Sequence, residues 1–100
     1  MELLTQELKA KLPGIYATEG SPDAMVVCKF FLTDSGWTWY AVEFDGDDTF
    51  FGLVEGFETE LGYFCLSELL EIRNRFGLGV ERDLFFEPVP LHSLLKQPAG

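Results

Sequence analysis

Leu4, Leu8 and Leu12 recur every four residues, with Glu7, Lys9 and Lys11 between them. That spacing predicts a helix with one apolar face, capped at its start by Thr5 and ended by Pro13-Gly14. Residues 17–23 (ATEGSPD) read as a loop. The run Ala24–Leu32 (AMVVCKFFL), whose one charge is Lys29, predicts a strand, and Thr33–Gly36 predicts a turn. Trp37–Asp45 (WTWYAVEFD) is the next strand, Asp45–Asp48 (DGDD) a tight turn, and Thr49–Glu55 (TFFGLVE) its hairpin partner. A short strand follows at Leu61–Leu66. Period-two alternation along Trp37–Asp45 groups Trp37, Trp39, Ala41, Glu43 and Asp45 on one face. Thr38, Tyr40, Val42 and Phe44 form the other, which reads as core.

Beyond the sheet, Ser67 is the expected cap of a helix near residues 67–76, with Glu68 and Glu71 near its positive end. Leu69, Leu70, Ile72 and Phe76 supply its apolar side, Arg73 and Arg75 fall in its last turn, and Gly77 suits its end. A short strand at Asp83–Glu87 and a helix begun by Pro90 close the chain, and Gln97–Gly100 are expected to be disordered. Strands joined by short turns, flanked by helices, describe an α+β fold: a small, mostly antiparallel sheet with helices packed on one side. One hundred residues make a single domain, 1–100, with a core spanning about 3–90. An apolar fraction of 47% suffices to fold without a metal or disulfides.

Charge changes the picture more than composition does. The net charge is −10, from 17 acidic and 7 basic residues. No Lys or Arg occurs from Phe30 to Ile72, a segment that carries Asp34, Glu43, Asp45, Asp47, Asp48, Glu55, Glu58, Glu60, Glu68 and Glu71. The flanking parts nearly cancel, so the middle of the chain holds the net charge. Such a field repels phosphate, which disfavours direct nucleic-acid binding, and it attracts basic partners or cations. Glu43, Asp45, Asp47, Asp48, Glu55, Glu58 and Glu60 are therefore expected to form an acidic rim that engages a basic protein surface, with a DNA-binding protein as one such partner. Trp37, Trp39 and Phe51 form a second candidate, an aromatic patch. Its acidic surroundings argue against base stacking, which normally accompanies a positive groove.

Catalytic signals are absent. There is no GxSxG, no HExxH and no phosphate-cradling glycine loop. The single His92 lacks a nucleophile partner, and Cys28 and Cys65 lie in apolar runs, as buried free thiols do. No cofactor is expected. Were a metal bound, hard cations would favour Glu43, Asp45, Asp47 and Asp48, which is the basis of an alternative reading as a metal-dependent nuclease or hydrolase. The N-terminus lacks a basic region followed by a long apolar run, so a cytoplasmic, non-membrane location is expected. Arg82 is expected in a structural ion pair, with Glu87 or the acidic rim.

The stretches WTWYAVEFDGDDTFFGLVEG, ELGYFCLSEL and GLGVERDLFFEP, with LLTQELKAKLPGIYAT before them, resemble the bacterial domain of unknown function family 2958. The resemblance covers about residues 3 to 90. It implies a bacterial protein, often carried on plasmids and other mobile elements, and supplies no catalytic residues. Some members bear a single-stranded-DNA endonuclease label. Taken together, charge and resemblance point to a binding or regulatory protein, in its sharpest form a DNA mimic whose carboxylates occupy a nucleic-acid groove.

Overall fold

In the structure, a computed structural model that describes residues 2–95, Thr5 accepts a hydrogen bond from the Leu8 N–H and starts helix α1 (Gln6–Lys11). The β-rich run after the loop divides in two. β1 (Met25–Val26) pairs with β7 (Val89–Pro90) in a separate antiparallel ribbon, whereas β2 (Cys28–Phe31) enters the main sheet. The division falls at Val27, where the chain changes sides: Val26 joins one apolar cluster, and Cys28 and Phe30 join the other. The main sheet is antiparallel in the order β5-β4-β3-β2-β6, with β3 (Thr38–Phe44), β4 (Thr49–Glu55), β5 (Thr59–Cys65) and β6 (Glu81–Arg82). The expected hairpin and its turn are thus present, and β4 has the predicted limits.

Both faces of this sheet are covered, which explains why β3 is buried almost throughout. On the first face Phe50 packs against Phe30, Phe44 and Phe64, with ring centroids 5.6, 4.6 and 5.1 Å away. Leu4 and Leu12 flank α1 and close one end of this cluster, and Leu69 of α2 (Leu66–Glu71) closes the other. Full burial of each such phenylalanine contributes roughly 1.5–3 kcal/mol. The second face is smaller: Val26, Tyr40, Val42 and Leu53 lie under Phe86 and under Leu91 and Leu94 of α3 (Leu91–Leu95). Two helices therefore share the first face, and the short terminal one sits on the second.

A β-bulge interrupts strict alternation. The β3–β4 register moves from Ala41 opposite Gly52 to Glu43 opposite Phe51, so Val42 is the extra residue. Past the bulge the phase inverts. Phe44 joins the first-face cluster with Trp39 and Ala41, and Glu43 turns to the opposite side, contrary to the grouping expected from period two. Gly52 allows this crowding, because a Cβ there would lie 1.8 Å from the Tyr40 carbonyl oxygen.

Two further elements depart from expectation. The helix expected near residues 67–76 ends at Glu71, with Ile72 already extended. Asn74 takes over the following backbone: its Oδ1 accepts from Phe76 N–H and Leu78 N–H, and Gly77 adopts φ +80° in a turn rather than a helix cap. Arg73 and Arg75 thus lie outside the helix; Arg73 still donates to the Leu70 carbonyl near its end, and Arg75 pairs with Asp34 at 2.9 Å. Asp83–Glu87 is not a strand, because the Asp83 carboxylate accepts from Phe85 N–H and folds the chain into a turn. Gln97–Gly100 lie outside the described residues.

Candidate functional site

The acidic residues separate into carboxylates that hold the fold and carboxylates that are free to act. Glu43 belongs to the first kind. It is only 3% exposed, and it accepts hydrogen bonds from Tyr16 N–H at 2.9 Å, Thr18 N–H at 2.8 Å and the Thr18 hydroxyl. Burial pushes its pKa up, but these three donors outweigh burial and hold it below its ordinary 4.5. Asp45 closes its own turn, its Oδ1 accepting from the N–H groups of Asp47, Asp48 and Thr49. Asp48 caps α2 from a distance: its carbonyl accepts from Leu66 N–H, and its carboxylate from both the N–H and the hydroxyl of Ser67. Ser67 is therefore the partner of the cap rather than the cap. Glu55 lies beside Tyr40, whose hydroxyl is pushed up to about 12 by burial and then by the Glu55 charge and hydrogen bond.

Among the described residues no three His, Cys, Asp or Glu side chains come together in a metal-holding group. Cys28 is a free, buried thiol pushed up to about 12 by burial, and Cys65 is a free thiol half-buried beside Thr49. Arg82 donates to the carbonyls of Glu2 and Leu3, holding the start of the chain against β6.

The aromatic candidates also separate. Trp37 and Trp39 stack with centroids 5.9 Å apart, but Trp39 is buried and only Trp37 reaches the surface. Phe51 lies elsewhere, paired between Glu43 and Tyr63 and turned to the second face of the sheet. In its place the structure supplies Phe57, in the turn between β4 and β5, edge-on to Trp37 at 5.4 Å and 95% exposed. Its signal in the sequence is slight: one apolar residue between Gly56 and Glu58.

Trp37 and Phe57 border a groove made of two hollows. One hollow, of about 330 Å³, lies between the sheet and α2, with Trp37, Val54, Leu69, Ile72 and Glu68 on its walls. A second, of about 460 Å³, adjoins it through Trp37 and Val54 and is bordered by Phe57, Glu58 and Glu60. Strand pairing sets the order, since Trp39, Val54 and Glu60 stand side by side across β3, β4 and β5. Gly56 is the floor beneath Trp37: a Cβ there would lie 2.2 Å from the indole ring. Among the described residues, the walls of both hollows carry carboxylates and no Lys or Arg. Of the expected rim, Glu58 and Glu60 therefore stand on the groove together with Glu68, and Asp47 is exposed at the Asp45–Asp48 turn.

Residues 3–97, which include every wall of this groove, match the family described as a protein of unknown function, DUF2958. The chain belongs to the DUF2958 family. No curated protein and no solved structure matches it. This DUF2958 chain has, among its described residues, no helix long and apolar enough to cross a membrane.

Proposed function

We propose that the protein is a binding module whose Trp37 groove captures a basic segment of another protein. An aliphatic or aromatic side chain of the partner seats on Trp37 and Phe57, and its Lys or Arg side chains face Glu58, Glu60 and Glu68. The observation that carries this reading is Phe57, almost wholly exposed beside a tryptophan and a hollow whose apolar walls meet the carboxylates Glu58 and Glu60. A large apolar side chain held in water next to a cleft is a common mark of an interface, and buried aromatics dominate interface energies. The acidic rim adds selection of the partner and faster encounter more than it adds raw affinity.

In its sharpest form the partner is a DNA-binding protein whose basic surface the module occupies in place of nucleic acid. The net charge of −10 supports that form. The competing reading, a metal-dependent nuclease or hydrolase on Glu43, Asp45, Asp47 and Asp48, lacks a converging set of carboxylates to support it.

The test is a bacterial-lysate pull-down run in parallel with the wild-type chain, Phe57→Ser and the Glu58→Lys/Glu60→Lys double variant, each washed at low salt and at roughly 0.5 M salt, where exposed charges are screened within a few ångströms. A partner held by wild type, lost with Phe57→Ser and weakened by charge reversal and salt is the expected result. Equal capture by all three chains, or capture by none, overturns the reading.

A further inference from the structure

On the other face of the sheet, a cavity of about 280 Å³ lies where the Tyr16–Ser21 loop crosses β3, β4 and β5. It is smaller than the roughly 300–1,000 Å³ of pockets that hold drug-sized ligands, and it suits a single side-chain head or a small ion. Three rings border it: Tyr16, Phe51 and Tyr63. Phe51 and Tyr63 are cross-strand neighbours in edge contact at 5.2 Å, and Glu43 completes their row on β3. The neighbouring Tyr16 phenol, then burial, and then the Glu43 and Glu19 charges raise the Tyr63 pKa.

The charge balance of this cavity is one-sided. Glu43 and Glu19 border it, and among the described residues no Lys, Arg or His does. Glu43 is ionised near neutrality, and the donors it accepts from are neutral: two backbone N–H groups and a hydroxyl. A carboxylate offers about four lone-pair positions, so the second position on Oε1 is left over. Ring faces attract cations through their quadrupole, and a buried carboxylate adds the countercharge.

We infer that this cavity is a binding site for an organic cation, a small ammonium or alkylated ammonium head held among the rings of Tyr16, Phe51 and Tyr63 with its charge directed at Glu43. Two sources present that chemistry, a free alkylamine and the side chain of a lysine in a protein. The site shares Tyr63 of the edge strand with the first hollow of the Trp37 groove but none of its acids, and it stands whether or not that groove binds a partner.

The test is an NMR titration of the full chain with choline and with 3,3-dimethylbutan-1-ol, its neutral isostere of the same shape. Choline is expected to shift the amides of residues 16–21, Phe51 and Tyr63 saturably, and the alcohol is not. Tyr16→Gly removes one ring while keeping the N–H that Glu43 accepts, and it suits the local φ of +71°. It is expected to weaken choline by roughly 2- to 30-fold, the span of one cation–π contact. Glu43→Gln abolishes binding if it folds, and the Tyr16 variant decides the question if it does not. Equal shifts from the alcohol, no saturable shift from choline, or unchanged affinity in Tyr16→Gly each overturn the inference. Parallel titrations with n-butylammonium and with a peptide containing trimethyl-lysine separate the sources, the tighter ligand naming the one in use.

Discussion

At the scale of the residue, Glu43 shows how far a carboxylate's role depends on what surrounds it. Read along the strand it is one of several acids in a rim; in the fold it is a buried anchor that fastens the Tyr16–Thr18 loop to β3. Because folding lowers its pKa, its contribution is complete above its ordinary 4.5 and is lost as pH falls through the lower folded value. Urea unfolding at pH 7 is expected to find Glu43→Gln less stable by about 2–3 kcal/mol, since the amide cannot accept from all three donors. The same comparison near pH 3 is expected to find a smaller gap. An undiminished gap would mean that the variant fails for steric reasons. Nothing in the local sequence distinguishes Glu43 from Asp45 or Asp47, because its donors lie 25 and 27 positions away.

At the scale of the element, what the sequence made legible was local. The Thr5 cap, the Asp45–Asp48 turn and the limits of β4 follow from spacing and turn chemistry within a few residues. What it hid was non-local or subtractive. The bulge at Val42 removes one step from the alternation, which puts Phe44 and Glu43 on faces opposite to those expected. Helix α2 starts on Asp48 instead of Ser67, across 19 positions, and stops early because Asn74 competes for the backbone. The candidate site suffered likewise: Trp37, Glu58 and Glu60 were legible, but Phe57 and Glu68 became visible only when β5 and α2 brought them to the groove. Asp48→Ala is expected to cost about 0.5–2 kcal/mol, the range for loss of a cap, measured by thermal or urea unfolding. Ser67→Ala, which keeps the N–H bond to Asp48 and loses only the hydroxyl, should cost less. Equal losses would assign the cap to Ser67 after all.

At the scale of the whole molecule, a charge of −10 on a chain of 100 residues favours expansion, and the fold resists it with internal pairings and two apolar clusters. Screening that repulsion is expected to raise the melting temperature between low salt and roughly 0.5 M sodium chloride; a flat or falling profile would mean that specific ion pairs matter more. Solubility is expected to be lowest near the sequence pI of about 4.3, where copies no longer repel each other. Gly56 beneath Trp37 has a consequence of another kind, in how this chain can change by descent. Positions 37 and 56 are coupled in inheritance: a side chain at 56 displaces the indole at 37 from its present seat, and returning the indole to that seat first requires the glycine. Lineages that abandon the tryptophan can therefore lose the way back without any further change in the groove.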